Sequence, residues 1–201
     1  MKDFLIIKDP EIAKLFADPC RRSILHNLRH REMTPYQLAK ALGKNVSSIT
    51  YHLKSLEKAG LIEQSRTLVK GNLIEKFYRA TAKVFIISYT LSEGLVPGSE
   101  DIAKWSREIC KNATASLEAF GYNITEENID RISKLVEKYL SLRRMAYEKV
   151  IADQKEPVNV GHPALKLILS LLSSVHLYNN PEFIKLLEEL SKELDKAVKE
   201  G

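Results

Sequence analysis

Long hydrophobic runs are missing from this sequence of 201 residues. The longest uninterrupted apolar segments span four residues, at 4–7 and 84–87. A membrane-spanning helix needs about 18 apolar residues or more, so the sequence predicts none. The N-terminus has neither a long apolar segment nor a small-residue cleavage site, so no signal peptide is predicted.

Cysteine is also scarce, with Cys20 and Cys110 as the two thiols. Two cysteines cannot form a disulfide framework, which favours a reducing cytoplasm as the location of the protein. Cys20 lies near a predicted helix start beside Arg21 and Arg22, and this setting predicts a lowered thiol pKa. Cys110 has the position of a small core residue within a helix.

Motifs of catalysis and cofactor binding are absent as well. The sequence contains no P-loop, no GxSxG or HExxH motif and no dinucleotide fingerprint. His162 and His176 are 14 residues apart and lack partner carboxylates at metal-ligand spacing. We therefore expect no enzyme activity, no cofactor and no metal site.

Charge is distributed unevenly along the chain. Residues 1–95 carry 16 Lys and Arg against 9 Asp and Glu, whereas residues 96–201 carry 15 against 17. The first part therefore has a net charge of +7 and the second of −2, within a total of +5. A basic N-terminal part favours a polyanionic partner, although a lysine-rich solvated surface explains the same numbers equally well.

The basic part contains the pattern of a helix-turn-helix. Residues 34–37 read TPYQ, a capping-box spacing with proline at the first helical position, and Gly43 is placed to end this helix. A second helix, residues 47–59, begins three or four residues later. Two helices joined by such a short turn predict a motif that places its second helix in the DNA major groove.

The predicted second helix has two chemically different faces. Helical spacing directs Ile49, Leu53 and Leu56 inward. The opposite face collects hydroxyls, one aromatic ring and cations, and its first acidic residue is Glu57. Its members are Ser47, Thr50, Tyr51, Lys54 and Lys58. This composition favours DNA over water as the neighbour of that face.

A hairpin with basic residues is predicted to follow. Residues 61–68 and 73–80 have strand-like patterns and are joined by the sequence VKGN, which supplies the residues of a tight reversal. Lys70 and Asn72 lie at its tip, with Arg66 on one strand and Lys76 and Arg79 on the other. A basic wing of this kind contacts phosphates or enters the minor groove.

Three segments carry a resemblance to a known family. Residues 18–25 read DPCRRSIL, residues 46–62 read VSSITYHLKSLEKAGLI, and residues 70–78 read KGNLIEKFY. Over residues 9–80 the chain resembles the winged-helix domain of ArsR-type transcriptional regulators. The whole chain is similar to archaeal regulators with a helical C-terminal extension, and its three glutamines are consistent with a thermophile.

The resemblance implies a dimeric repressor or activator that binds double-stranded DNA at a palindromic operator. It assigns base reading to Ser47, Ser48, Thr50, Tyr51 and Lys54, and it assigns the wing contacts to Arg66, Lys70 and Asn72. Metal-sensing members carry a Cys-x-Cys type of site in the first half of the motif. Residues 39–42 contain no thiol, so we do not expect metal sensing here.

The remainder of the chain is predicted to be helical. Residues 93–99 form the best linker candidate, and helices are expected at 99–120, at 125–153, from 163 and from 181. The helix from 125 would exceed about 40 Å in length, and the helix from 163 is apolar on most of its circumference and must be buried. These features predict dimerisation through this part of the chain, although ArsR-type domains often pair through their first helix, here the segment with Ile12, Leu15 and Phe16.

An unidentified small-molecule effector is a further candidate partner. Aromatic residues could line its pocket, although such residues are more often core. The candidates are Trp105, Phe120, Tyr122, Tyr139, Tyr147, Tyr178 and Phe183.

The predicted fold class is mainly α, with an α+β winged helix-turn-helix at residues 1–92 and an all-α domain at residues 99–201. The predicted function is a DNA-binding transcriptional regulator. The alternative is a winged-helix module that binds protein or RNA without reading DNA, since winged helices are reused in that way. Such a module would show apolar or acidic residues on the outer face of residues 47–58.

Overall fold

A computed structural model describes residues 1–71 and 73–198, without the side chains of Lys70 and Leu73. The predicted wing residue Asn72 lies outside the described residues. The chain divides into two compact units, the N-terminal unit (residues 1–86) and the C-terminal unit (residues 87–201).

The N-terminal unit contains short helices and two pairs of strands. In chain order, these elements are β1 (Lys2–Ile7), α1 (Pro10–Lys14), a 3-10 turn (Leu15–Ala17), α2 (Pro19–Leu28), α3 (Pro35–Leu42), α4 (Val46–Lys58), β2 (Ile62–Lys70), β3 (Leu73–Ala80) and β4 (Ala82–Ile87). Strands β2 and β3 pair with each other, and β1 pairs with β4. The helix, helix, hairpin order confirms the predicted winged helix-turn-helix.

Capping fixes where α2, α3 and α4 begin. One carboxylate oxygen of Asp18 accepts hydrogen bonds from the backbone N–H groups of Cys20 and Arg21, at 2.7 and 3.1 Å. Thr34 and Gln37 form the predicted reciprocal capping box at the start of α3. These contacts satisfy N–H groups that have no partner within a helix, which is why the helices start at these positions.

The turn between α3 and α4 depends on Gly43. This residue has φ of 62°, a left-handed conformation that side chains other than glycine rarely adopt. The turn directs the apolar stripes of both helices into one core. Residues exposed by 2% or less in that core include Ile24, Leu25, Leu28, Leu38, Ile49, Leu53 and Leu56.

The strand pair β1–β4 was only partly predictable. The apolar pattern of residues 81–88 is compatible with helix or strand, and the structure shows a strand, β4. Strand β1 was not predicted, because its short apolar run does not alternate apolar and polar residues. An ion pair of 2.8 Å between the Lys83 amine and the buried Asp3 carboxylate ties the two strands.

The C-terminal unit is helical. Its elements are α5 (Tyr89–Ser92), α6 (Glu100–Ala115), a 3-10 segment (Ser116–Phe120), α7 (Ile129–Ala152), α8 (His162–Tyr178) and α9 (Pro181–Lys196). A cluster of buried side chains joins α7, α8 and α9 through Leu142, Ala146, Leu177, Phe183 and Leu186. No helix within the described residues has the length and apolar character needed to span a membrane.

Two helix predictions in this unit were wrong at their ends. Helix α7 begins at Ile129 rather than at residue 125, because the Asn128 carboxamide accepts the Thr125 N–H at 2.8 Å and holds a turn there. Its 24 residues span about 36 Å, which is shorter than expected. The α-helix expected to reach residue 120 ends at Ala115 and continues as the tighter 3-10 segment.

Helix α8 buries only part of its apolar surface. Leu165 and Leu169 are buried, but Leu167 and Leu171 are 69% and 60% exposed, and Val175 is exposed as well. The complete burial that its composition predicts is therefore not reached in the single chain.

Candidate nucleic-acid interface

Helix α4 has one face that is buried in the core and one face that is exposed. Ile49, Leu53 and Leu56 are buried in the core of the N-terminal unit. The side chains of Ser47, Tyr51, Lys54 and Lys58 are exposed, and Ser48 and Thr50 are half-buried. The structure thus brings five predicted base-reading residues together on one helix: Ser47, Ser48, Thr50, Tyr51 and Lys54.

The first turn of α4 provides donors as well as side chains. The Asn45 carboxamide accepts the Ser48 N–H at 2.7 Å and caps the helix. Unsatisfied N–H groups at a helix start carry partial positive charge, which attracts a phosphate. Ser47, exposed in this turn, is therefore in a position where an anion is favoured.

Thr50 and Tyr51 differ in how much of each side chain is free to contact DNA. The Thr50 hydroxyl donates to the Val46 carbonyl at 2.8 Å, so its proton is engaged while its oxygen can still accept. Tyr51 is 63% exposed, with its ring edge-to-face against His52 at 5.5 Å. Tyr51 therefore presents both an aromatic surface and a hydroxyl to a partner.

His52 supports the position of α4. Its side chain is largely buried, and its Nδ1 lies 3.8 Å from the Asp18 carboxylate at the start of α2. Burial raises the pKa of Asp18, but the backbone donors Arg21 and Cys20, with the nearby His52 and Arg21 side chains, outweigh burial and lower it. This geometry favours a role of His52 in packing α4 against α2 rather than in contacting a phosphate.

Arg66 is held against the body of the N-terminal unit. Its guanidinium lies 2.9 Å from the Glu32 carboxylate and 3.7 Å from the centre of the Phe77 ring. Hydrogen bonds from Arg66 and Ser65 lower the pKa of Glu32. The guanidinium has five donors, so donors remain for a phosphate, but one has an acidic partner that the sequence did not reveal.

The remaining cations of the wing differ in their surroundings. Lys70 ends β2, but its side chain is outside the described part of the chain, as is Asn72. Arg79 forms an ion pair of 2.7 Å with Glu63 across the hairpin. Lys76 is exposed and lies opposite Thr67.

Cys20 does not have the activated thiol that the sequence predicted. Burial raises its pKa, and the Asp18 carboxylate raises it further, whereas Lys44 and Arg21 act in the other direction. The prediction was wrong because burial of the thiol, together with the charge of Asp18, outweighs the effect of the neighbouring cations on the pKa. Among the described residues, no group of three or more His, Cys, Asp or Glu could hold a metal ion.

A cavity of about 570 Å³ lies within the C-terminal unit. Its lining includes Tyr89, Met145, Lys149 and His176. The seven aromatic residues considered for an effector pocket are not part of this lining. Tyr139 instead stacks on Phe183 at 5.8 Å, while Phe120 and Tyr178 are exposed.

Comparison with known proteins finds a family model that matches the helix-turn-helix. Residues 18–64 match the family model described as bacterial regulatory protein, arsR family. This segment is similar to the helix-turn-helix of that family. The match includes α2, α3, α4 and the start of β2, and it covers about a quarter of the chain.

Solved structures show a weaker similarity. The crystal structure of M. tuberculosis Rv0081 is 20% identical, with a TM-score of 0.31, and covers 53% of this chain and 88% of its own. Bacillus subtilis PadR in complex with operator DNA is 18% identical, with a TM-score of 0.30, and covers 86% of this chain and 98% of its own. No curated protein sequence matches the chain significantly.

Proposed function

We propose that the protein is a DNA-binding transcriptional regulator that inserts α4 into the major groove of its operator. The observation that carries this proposal is the exposed face of α4, where Tyr51 and Lys54 lie beside hydroxyl groups and no carboxylate precedes Glu57. The ArsR-family helix-turn-helix supports the same function.

The chemistry of this face fits base edges. A lysine amine donates to the guanine O6 and N7 acceptors, while serine and threonine hydroxyls donate or accept. Ser47, Ser48, Thr50, Tyr51 and Lys54 are the proposed readers. Arg66, Lys70 and Asn72 are the proposed wing contacts to phosphates or the minor groove.

The proposed assembly is a homodimer on a palindromic operator. Leu167, Leu171 and Val175 form an exposed apolar stripe on α8, with spacing that places them on one face of the helix. Helix α8 contains no carboxylate and only one lysine, so two copies of this stripe can pack without charge repulsion. A two-fold axis would bring two α4 helices to adjacent major grooves, about 34–36 Å apart.

The alternative function, a module that binds protein or RNA, is less well supported. A protein-binding face on α4 would be apolar or acidic, and the exposed residues there are polar and cationic. The effector, the cytoplasmic location and an archaeal, thermophilic origin stay predictions.

Selection of bound sequences from a pool of random duplex DNA tests the proposed function. The expected result is enrichment of a palindrome whose half-sites are one helical turn, about 10–10.5 bp, apart. A duplex pool that remains random after several rounds would contradict specific DNA reading. Recovery of single-stranded or structured RNA from a parallel RNA pool would favour the alternative.

A further inference from the structure

The wing has an exposed apolar surface that none of the proposed DNA contacts includes. Val69 and Ile74 are direct partners in the β2–β3 ladder. They are 65% and 64% exposed, although both are large β-branched side chains. Directly opposed residues of an antiparallel pair have their side chains on the same face, about 4.5–5.5 Å apart, so the two form one continuous apolar patch.

The strand register divides the wing into two faces. Arg66 and Phe77 pair on one face, where the arginine stacks on the buried ring. Because side chains alternate along a strand, Thr67 and Lys76 share the other face with Val69 and Ile74. The carboxylate of Glu75 belongs to the first face, since Glu75 pairs with Leu68.

The composition of the outer face indicates what covers it. Between the tip and the Thr67–Lys76 pair, this face presents Thr67, Val69, Ile74 and Lys76. These four residues are half apolar and include a cation but no carboxylate. A polyanion with apolar walls matches this combination, and the minor groove of DNA has both phosphates at its rim and deoxyribose along its walls. Apolar side chains that enter this groove wedge at a base step and bend the duplex.

We propose that Val69 and Ile74 form an apolar wedge that enters the minor groove of the operator beside the half-site read by α4. This inference rests on the proposed function and extends it, because it assigns part of the binding free energy to a contact that releases no counterions. Lys76 then lies beside the wedge and faces the phosphates at the rim of the groove.

The test variant replaces both residues with threonine, as V69T/I74T in the full chain. Threonine is β-branched and preserves strand propensity, so the hairpin is expected to fold, and circular dichroism checks this. The probe is the duplex enriched by selection, with dyes at both ends for bend measurement by energy transfer. Loss of two apolar contacts is expected to raise Kd on the order of tenfold.

The salt dependence identifies the kind of contact. V69T/I74T should weaken binding with an unchanged slope of log K against log salt, because no cation is removed. Lys76→Ala should reduce that slope by about one, as expected for one phosphate contact. The duplex should also bend less with V69T/I74T than with the original protein.

Two variants serve as controls. Leu95→Thr removes an equally exposed apolar side chain, 66% exposed, from the C-terminal unit and should leave Kd unchanged. Thr67→Val extends the apolar patch on the same face and should bind at least as tightly as the original protein.

Several results would overturn the wedge. If V69T/I74T binds and bends the enriched duplex as the original protein does, the wedge is excluded. The proposed function stays intact in that case, because the original protein still binds the duplex. Loss of self-association by V69T/I74T in sedimentation, with unchanged binding to a single half-site, would assign the patch to a protein contact. Failure of the original protein to bind any duplex would instead reject the proposed function together with the wedge.

Discussion

The two units of the chain differ in the kind of side chain that they leave exposed. The N-terminal unit closes its core with fully buried side chains such as Ile24 and Leu38, and it exposes mostly polar groups on α4. The C-terminal unit has a buried cluster around Leu142 and Leu186 but leaves leucines of α8 exposed. Exposed polar groups are ordinary on a protein surface, so α4 stands out by its hydroxyls and cations, whereas the exposed apolar stripe of α8 stands out by its lack of cover.

The largest expected effect comes from breaking the proposed dimer. Replacing Leu167 and Leu171 together with glutamate places charges on the apolar stripe of α8. We expect a monomer in sedimentation and a loss of palindrome affinity of about 100-fold, because binding of the second half-site is no longer intramolecular. Affinity for a single half-site should change little.

The matched control for this experiment is Leu95→Glu, which adds a charge at an equally exposed leucine outside α8. It should leave both association and DNA binding unchanged. A dimer that persists in the α8 variant would contradict the α8 assignment and favour the segment containing Leu15 and Phe16. In the structure, Phe16 packs against Phe85 with ring centres 5.9 Å apart, so part of that segment is already engaged.

The next largest effect concerns base reading. Tyr51→Ala or Lys54→Ala should cost about 1–3 kcal/mol of binding free energy and relax base preference at one position. Lys185→Ala, at an exposed lysine on α9, should leave base preference unchanged. Repeating the duplex selection with each variant measures this, and wild-type preference at every position would exclude these residues as readers.

The caps of the N-terminal unit have a smaller effect. Asp18→Ala should lower the free energy of unfolding by about 1 kcal/mol, because two N–H groups at the start of α2 lose their acceptor. The native pKa of Asp18 is lowered, so its contribution is present above about pH 4, the ordinary range for aspartate, and is lost as the pH falls through the native pKa. Denaturant unfolding at pH 7 and pH 3 measures this.

Because the contribution of Asp18 is lost in acid, the difference in the free energy of unfolding between Asp18→Ala and the original protein should be smaller at pH 3 than at pH 7. A difference of the same size at both values would show that the carboxylate charge is not involved. Asp9→Ala is the comparison variant, since Asp9 caps the short helix α1 through the N–H groups of Glu11 and Ile12.

The smallest expected effect concerns the contact between the wing and the phosphates of the DNA. Lys70→Ala should weaken binding to operator and to random duplex about equally and should flatten the salt slope by about one. Titrations over a salt series with both duplexes measure the two quantities. A loss confined to operator, with an unchanged slope, would make Lys70 a base reader instead.

Sequence patterns predicted the local features of the N-terminal unit well. The capping box of Thr34, the turn at Gly43 and the inward stripe of α4 depend on residues close in sequence, so periodicity and capping rules reach them. The Arg66–Glu32 ion pair joins residues 34 apart, and no local pattern encodes it. The raised pKa of Cys20 depends first on burial and then on the Asp18 carboxylate, and the late start of α7 depends on the Asn128 side chain. A helical pattern specifies neither.

The ratio of affinities for operator and scrambled duplex of equal length tests the central claim most directly. At about 150 mM salt, a regulator that reads bases through α4 should bind the selected operator about 10³-fold or more tightly than the scrambled duplex. The double variant of Tyr51 and Lys54 to alanine should lose most of this ratio and keep its affinity for the scrambled duplex. Equal affinity of the original protein for both duplexes would contradict base reading by α4.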